Sequence, residues 1–247
     1  MTSLPSVLLL EDDPFMQHFV QLALEDLPVQ LHCSSNLAQA RHLLRTQSVA
    51  LLLSDMQLPD GSAATLCVEL NASPTAWAGP VPRVVMFSGG IDPTLEPTLR
   101  SSGVWQVLHK PVTMEQLQDC VVQALAQQPS TPTTPLSTDT AQRQHIYHFF
   151  GDRHTLFAAY QHTCLQQFAH DLVEGQRAAQ AGDWIALRHL AHNLKSVLTL
   201  LGHPLPAQLA RELEAQASTG NPAIALATWE QLQIHLLQQL QLESPEV

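Results

Sequence analysis

Five polar residues of this 247-residue sequence stand directly after short apolar runs, and together they have the chemistry to accept a phosphoryl group. They are Glu11, Asp12, Asp55, Ser88 and Lys110. Carboxylates are hard oxygen ligands of the kind that Mg2+ prefers, and a carboxylate beside such a cation can attack phosphorus. The lysine would offset the charge of the incoming group, and the small serine hydroxyl could bond a phosphoryl oxygen. This chemistry requires that the five residues meet at one place in the fold.

A second candidate site is a histidine in the C-terminal half, where the sequence has helical periodicity. Alternating spacings of three and four residues predict an apolar helix face that packs in a bundle core: Trp184, Leu187, Ala191, Leu194, Leu198 and Leu201. At about 100° per residue, His192 projects away from that face towards solvent, with Lys195 and Ser196 beside it. A neutral imidazole nitrogen is a good nucleophile near physiological pH, and the lysine could offset phosphate charge. His189, one turn earlier, is a competing candidate, although it lacks a lysine in this register.

The residues before position 128 alternate apolar runs with helical patterns. The strand candidates are Ser6–Leu10, Val29–Cys33, Val49–Leu53, Arg83–Phe87 and Val104–His109. The helix candidates are Pro14–Glu25, Leu37–Thr46, Ser62–Asn71, Pro93–Ser101 and Thr113–Ala126. Continuous apolar strands indicate burial on both faces, so we predict an α/β fold: a flavodoxin-like, doubly wound (βα)5 domain with a parallel sheet. Such a sheet brings the carboxyl ends of its strands, and hence the five polar residues, to one edge.

Residues 128–140 separate this pattern from a second one. Their sequence, QPSTPTTPLSTDT, contains three prolines and seven Ser or Thr residues and is typical of a flexible linker. Helical patterns follow it: Ala141–Phe150, Arg153–Ala181, Trp184–Leu201, Pro206–Ala217 and Ala223–Leu242. Long helices with short connections favour an antiparallel helical bundle. We therefore predict an α/β domain over 1–127, a linker over 128–140 and an all-α domain over 141–247.

The charge distribution disfavours nucleic acid and anionic membrane surfaces as partners. The formal net charge is -11, and both halves are acidic, with five basic and twelve acidic residues up to position 127 and six and ten after it. Neither half has the basic footprint that binding to nucleic acid or to an anionic membrane surface requires.

The sequence has no run of about 20 apolar residues for a membrane span, and no basic start typical of a secretory signal. The four cysteines lack metal-ligand spacing and are expected to be reduced thiols, so we expect a cytoplasmic protein.

The stretches LLLEDDP, LLLSDMQLPDG, VVMFSGG and VLHKPV resemble the receiver domain of two-component response regulators, over about residues 5–127. The resemblance implies that Asp55 accepts a phosphoryl group and that Ser88 and Lys110 contact that group. It also implies a Mg2+ site to which four residues contribute. Asp12 would bind the ion directly, Glu11 would help through water, and Asp55 and the backbone carbonyl of Gln57 would be the other protein ligands.

The sequence departs from the receiver pattern at two positions. Receivers usually carry Tyr or Phe three residues before the lysine, where the ring swings inward on activation, but this chain has Val107 there and Trp105 two residues earlier. The residue after Ser88 is usually alanine and here is Gly89. The phosphorylation chemistry needs neither the aromatic ring nor the alanine. The inward swing on activation needs the ring, which Val107 does not provide.

The run AHNLKSVLTLLG resembles the histidine phosphotransfer (HPt) domain, and the later run LARELEAQA is similar to that family's next helix. The family pattern has His, Lys three residues on, a small residue four on and Gly ten on, here His192, Lys195, Ser196 and Gly202. The resemblance covers about residues 141–242 and implies that His192 carries a phosphoryl group. Ser196 stands where the family usually has glycine, and Ser196 and His189 would contact a docked partner.

Together the two resemblances imply a phosphorelay intermediate. Asp55 would be phosphorylated by a sensor histidine kinase or another phosphohistidine donor, and His192 would exchange the group with a receiver. The sequence has no recognisable ATP-binding motif, so an ATP-dependent kinase is not expected. Two alternatives stay open: a phosphorylation-gated adapter for protein contacts, and a phosphate sink that drains another pathway. Metal binding by paired histidines, His189 with His192 or His145 with His148, is disfavoured because no further ligand completes either pair.

Overall fold

The computed structural model describes residues 4–88, 96–126, 148–219 and 222–242. The chain divides into two compact units, Met1–Ser137 and Thr138–Val247. The predicted linker, 128–140, lies outside the described residues, and so does the predicted helix 141–150 except for residues 148–150, which are helical. Among the described helices, none combines the length and the apolar character that crossing a lipid bilayer requires.

The N-terminal unit contains a five-stranded sheet in which every neighbouring pair is parallel. Its strands are β1 Ser6–Leu10, β2 Gln30–Ser34, β3 Leu51–Asp55, β4 Arg83–Ser88 and β5 Val104–His109. The strand order β2-β1-β3-β4-β5 changes direction beside β1, which is the topology of a doubly wound α/β fold and confirms the predicted class. All five residues of β3 are buried, as a strand covered on both faces requires.

The sequence predicts the number and order of these strands correctly but misplaces β3. The observed strand begins and ends two residues later, because its ladder with β4 continues through Ser54 and Asp55, which pair with Met86 and Phe87. Asp55 is therefore the last residue of a strand rather than the loop residue after one. Ser88 likewise ends β4.

Helices connect the strands of this unit and cover the sheet. They are α1 Pro14–Leu24, α2 Leu37–Thr46, α3 Ala63–Ala72, α4 Glu96–Ser101 and α5 Met114–Leu125. α1 packs with α5, and α2 packs with α3, so the helices form two layers. Polar side chains accept a hydrogen bond from a first-turn backbone amide in four of them: Asp13, Asn36, Ser62 and Thr113. The predicted helix Pro93–Ser101 begins in residues outside the described part of the chain.

After the helical residues 148–150, four longer helices follow in the described part of the C-terminal unit: α6 His154–Ala181, α7 Trp184–Leu200, α8 Pro204–Thr219 and α9 Pro222–Leu242. Each helix packs against the next, and α6 packs against α9, so the four close into a bundle. Gly182 and Gly202 end helices with φ of 68° and 80°, values that favour glycine and that permit the sharp turns predicted at both positions. α8 begins two residues earlier than predicted.

A buried carboxyl group lies in α6, one turn before a tight contact between α6 and α9. Gly175 of α6 lies against Trp229 of α9 so tightly that a Cβ atom would stand 2.2 Å from the tryptophan ring. Asp171 is only 5% exposed. Its Oδ1 accepts a hydrogen bond from Gln167 Nε2 over 3.0 Å, whereas its Oδ2 has no hydrogen-bond partner among the described residues. Burial raises the pKa of Asp171 to about 6.

We predict that Asp171 makes the helical unit less stable as the pH rises. The folded unit holds this proton up to about pH 6, whereas the unfolded chain releases it near 3.8, so stability falls between these values. Over this range the contribution of Asp171 to the free energy of unfolding falls by about 3 kcal/mol. In Asp171→Asn, the free energy of unfolding relative to the wild type should therefore increase by about 2–3 kcal/mol from pH 4 to pH 7.5. Native-state hydrogen exchange of the α6 amides measures this quantity for the helical unit alone.

The control is Glu230→Gln, which removes an acid at an exposed position of α9. Its free energy of unfolding relative to the wild type should stay nearly constant over the same pH range. Parallel pH profiles for Asp171→Asn and the wild type would show that Asp171 does not hold its proton in the folded unit.

Candidate functional sites

Three carboxylates meet at the carboxyl edge of the sheet, where the strand order changes direction. Glu11 and Asp12 follow β1, and Asp55 ends the adjacent β3. One carboxylate oxygen from each residue lies within 4.8 Å of the others. Glu11 and Asp55 are 1% and 5% exposed. The structure thus brings together three of the residues that the sequence predicts at this edge, and it holds two of them away from water.

Lys110, the residue after β5, supplies positive charge to this cluster. Its Nζ lies 2.8 Å from Glu11 Oε2 and 3.0 Å from Asp55 Oδ2 and donates a hydrogen bond to each. Burial lowers the pKa of Lys110, but the two carboxylates outweigh burial and raise that pKa above its ordinary value, so the amine stays charged. Burial raises the pKa of Glu11 to about 7; Lys110 opposes this shift, and the charges of Asp55 and Asp12 add to it.

The donor atoms of this cluster suit a small divalent cation. Three carboxylates around one ammonium group leave an excess of negative charge, and carboxylate oxygens are ligands that Mg2+ prefers. Both carboxylate oxygens of Asp55 are held in place. Oδ1 accepts a 2.6 Å hydrogen bond from the Met56 amide, and Oδ2 accepts one from Lys110. Glu11, Asp12 and Asp55 are the side chains that would hold such an ion.

The chain after Asp55 forms a short hairpin, in which Gln57–Leu58 pairs with Gly61–Ser62. Gln57 therefore lies two residues beyond the candidate phosphoryl acceptor, with its side chain exposed. The sequence predicts its backbone carbonyl as a further metal ligand, and that role stays a prediction.

Ladder pairing places Ser88 at the same edge of the sheet, one residue beyond the partner of Asp55. The side chain of Ser88 and the whole of Gly89 lie outside the described part of the structure, so the predicted phosphoryl contact of Ser88 stays a prediction. Val107, which stands where receivers usually carry an aromatic ring, is half-buried against the core of the unit.

The second site lies where α7 packs against α8. The predicted core-facing stripe is buried at Leu187, Ala191, Leu194, Leu198 and Leu201, whereas Trp184 at the start of α7 is half-buried. His192 lies outside this stripe, and its side chain is 31% exposed. The ring does not point wholly into solvent as the sequence predicts, because Glu214 of α8 covers one edge of it. Glu214 Oε1 lies 2.7 Å from His192 Nδ1.

Glu214 also joins the histidine to the neighbouring lysine. Its Oε2 accepts a 2.7 Å hydrogen bond from Lys195 Nζ. Burial raises the pKa of Glu214, but hydrogen bonds from His192 and Lys195, together with the positive charge of Lys195, outweigh burial and lower that pKa to about 2. An ionised carboxylate can only accept hydrogen bonds, so His192 Nδ1 carries the hydrogen. The Nε2 atom of the neutral ring then keeps its lone pair and is the nitrogen able to attack phosphorus.

Glu214 is the residue that the sequence analysis misses. The run LARELEAQA places it beside the buried residues Ala210 and Leu213 of one helix. The sequence does not give the rotation of α8 against α7, which decides whether Glu212 or Glu214 meets His192. An acid bordering the apolar stripe of the helix after the histidine is the signal that could have identified it.

Ser196 and His189 lie on either side of His192 along α7. Ser196, one turn later, is half-buried, and His189, one turn earlier, is exposed. Their predicted contacts with a docked partner stay predictions.

Comparison with known proteins finds similarity to a response regulator and to solved receiver domains. "Response regulator protein PilR" of Pseudomonas aeruginosa is 27% identical over 118 residues, which are 48% of this chain but only 25% of that protein's length. A signal receiver domain from Vibrio parahaemolyticus is 22% identical with a TM-score of 0.46, covering 49% of this chain and 90% of that one. The receiver domain of an HD domain-containing protein from Pseudomonas fluorescens Pf-5 is 25% identical with a TM-score of 0.42, covering 51% and 89%.

Family models match both units of the chain. Residues 7–122 match the response regulator receiver domain, and residues 155–243 match the Hpt domain. With the parallel sheet, its acidic edge and the helical bundle, these matches define a protein of two-component signal transduction. The chain contains a receiver domain followed by an HPt domain.

We predict that Glu214 sets the tautomer of His192. In the wild type, the neutral ring should carry its hydrogen on Nδ1, because the Glu214 carboxylate accepts it over 2.7 Å. Glu214→Ala should populate the Nε2–H form, which has no lone pair at the reacting nitrogen. The 15N chemical shifts of the His192 ring distinguish the two forms.

Glu212→Ala is the matched control, since Glu212 is an exposed acid of the same helix. The control should leave the His192 tautomer unchanged. A wild-type ring that is mainly Nε2–H would contradict the prediction.

Proposed function

We propose that this chain is a phosphorelay intermediate in which Asp55 and His192 each carry a phosphoryl group. The observation that carries the proposal is the presence of two complementary acceptors in one chain. One is a buried carboxylate held by Lys110 beside two further acids. The other is an imidazole whose Nδ1 is engaged by Glu214, which leaves Nε2 for reaction. Acyl phosphate and phosphoimidazole are the alternating forms of a His–Asp relay.

The phosphoryl group comes from, and passes to, other proteins of the same signalling class. A sensor histidine kinase or another HPt protein would supply it to Asp55, and a partner receiver would exchange it with His192. The acidic charge of both units is consistent with protein partners rather than nucleic acid. We place this exchange in the cytoplasm.

At the aspartate site, a carboxylate oxygen of Asp55 attacks the phosphorus of a phosphoimidazole on the donor. The O–P bond forms as the N–P bond breaks, and the departing imidazole nitrogen takes the electron pair of the broken bond. Lys110, 3.0 Å from Asp55 Oδ2, offsets the negative charge that the phosphoryl group brings. Mg2+ bound by Glu11, Asp12 and Asp55 would supply Lewis-acid stabilisation of the same charge.

At the histidine site, Nε2 of His192 attacks the phosphorus of an acyl phosphate on a receiver aspartate. The N–P bond forms as the O–P bond breaks, and the aspartate departs as a carboxylate with the electron pair. The ring becomes positively charged because Nδ1 keeps its hydrogen, and the Glu214 carboxylate at 2.7 Å stabilises that charge. Lys195, one turn along α7, adds positive charge beside the phosphoryl group.

We predict that Asp55→Asn removes labelling of the receiver unit by a small phosphodonor such as acetyl phosphate. An amide is not a nucleophile towards phosphorus, so the rate should fall by at least about 100-fold. A chelator of divalent cations should have a comparable effect on the wild type, because the charges of the acid cluster would then lack the cation's compensation. Incorporation of radioactive phosphate into the full chain measures both effects.

The control for this experiment is Asp119→Asn, which alters an exposed acid of α5. It should be labelled like the wild type. Equal labelling of Asp55→Asn and the wild type would exclude Asp55 as the acceptor, and labelling that ignores the chelator would exclude a metal requirement.

We predict that His192→Gln abolishes the acid-labile label that a phosphorylated partner receiver transfers to the HPt unit. His189→Gln should keep that label, because His189 has no lysine three residues on, and the hydrogen bond with Glu214 that leaves a ring nitrogen for reaction is made by His192. Transfer gels with candidate receivers, followed by mild acid treatment, measure the label. Loss in His189→Gln and retention in His192→Gln would reverse the assignment.

Two further results would favour other functions. A His192→Gln chain that keeps full downstream signalling would favour a phosphorylation-gated adapter. Rapid, steady release of inorganic phosphate from a phosphorylated donor would favour a phosphate sink.

A further inference from the structure

We propose that Asp60 is a positioning residue of the aspartate site, because it tethers the hairpin after Asp55 to the first turn of α2. The role rests on the proposed Mg2+ site, in which the backbone carbonyl of Gln57 is a ligand. Asp60 touches neither the acceptor nor the metal ligands in this role. It acts through the backbone that carries Gln57.

The tether consists of two hydrogen bonds at the tip of the hairpin. Asp60 stands in the two-residue turn between the paired segments Gln57–Leu58 and Gly61–Ser62. Its Oδ1 accepts from the backbone amide of Leu37 over 2.9 Å, and its Oδ2 accepts from that of Ala38 over 3.0 Å. Both carboxylate oxygens of one side chain are thus bonded to a helix more than twenty residues away.

The base and one side of the hairpin are fixed independently. The Ala63 amide donates to the Met56 carbonyl over 3.0 Å, which closes the base beside Asp55. Leu58 is buried in the core. Gly61, with φ of +140°, approaches α2 so closely that a Cβ atom would stand 3.2 Å from Leu37 Cδ1. Gln57 lies between the anchored base and the tethered tip, so the position of its carbonyl depends on both.

Asp60 does more than an ordinary helix cap requires. α2 already has its own capping residue, Asn36, whose Oδ1 accepts from the Gln39 amide over 2.9 Å. Asp60 is exposed. If its side chain were removed, water could accept the hydrogen bonds of the Leu37 and Ala38 amides instead. Asn36 and Asp60 therefore stabilise the same helix terminus, but only Asp60 connects that terminus to the hairpin.

Comparing Asp60 with Asn36 separates two effects of a substitution: a change in the position of the hairpin and a change in the stability of α2. Asp60→Ala and Asn36→Ala are compared with the wild type as full chains. Labelling by acetyl phosphate is measured as a function of Mg2+ concentration, which gives a half-saturating concentration and a maximal rate. Hydrogen exchange of the Ala63 amide is measured without Mg2+.

We expect Asp60→Ala to raise the half-saturating Mg2+ concentration by about 10-fold, the size of effect that partners of metal ligands usually have. The maximal rate should change by less than about threefold, because the nucleophile and Lys110 are untouched. Exchange of the Ala63 amide should become faster in this variant. Asn36→Ala should lower thermal stability by a similar amount while leaving the Mg2+ dependence and the Ala63 exchange as in the wild type. Asp60→Asn, which keeps one acceptor oxygen, should lie between.

Three results would overturn the proposal, and they are distinguishable. Equal shifts of the Mg2+ dependence in Asp60→Ala and Asn36→Ala would assign the effect to helix stability. If Asp60→Ala changed neither the exchange of the Ala63 amide nor the Mg2+ dependence of labelling, Asp60 would not be holding the hairpin in place. Labelling of the wild type that needs no Mg2+ would refute the proposed Mg2+ site, and with it Asp60's role towards the metal. Hydrogen exchange of the Ala63 amide would still show whether the tether exists.

Discussion

The ammonium group of Lys110, buried between the carboxylates of Glu11 and Asp55, holds the aspartate site together. Acids that are buried so close to one another repel, and burial alone drives them towards their protonated forms. The lysine opposes both effects, and it links the residues after β1 and β5 to the end of β3. Removing one member of such a buried group leaves the others uncompensated, which is costly. The excess of acid that persists around one lysine is also what makes the site suitable for a divalent cation.

The histidine site uses the same kind of contact in reverse: one carboxylate lies between two nitrogen groups, whereas at the aspartate site one ammonium group lies between two carboxylates. One carboxylate, Glu214, lies between an imidazole and an ammonium group, at 2.7 Å from each. These side chains are partly exposed, as the proposed phosphoryl exchange between a partner and Nε2 of His192 requires. Water and salt screen such contacts, so the net gain in stability is smaller than for a buried group. The main consequence of Glu214 is geometric, since it decides which nitrogen carries the hydrogen.

The sequence predicts much of this arrangement because strand ends and helix phase follow from local patterns. Apolar runs locate the strands, and a parallel sheet then brings Glu11, Asp12 and Asp55 to one edge without any knowledge of packing. The helical phase of α7 likewise separates His192 from the core. Glu214 and Asp60 escape prediction because each acts on an element distant in the sequence, and the rotation or approach of two elements is set by tertiary packing.

The two sites differ in how much of the chain each requires. The hydrogen bond between Lys110 and Glu11 joins residues 99 positions apart, and that between His192 and Glu214 joins residues 22 apart. Closing a long segment costs more conformational entropy than closing a short one, and contacts of large sequence separation slow folding. The histidine site needs only the α7–α8 helical hairpin, a local structure that can form early. The aspartate site needs β1, β3 and β5 in place together, so Asp55 can gain its contact with Lys110 only after the ribosome has finished the fifth strand.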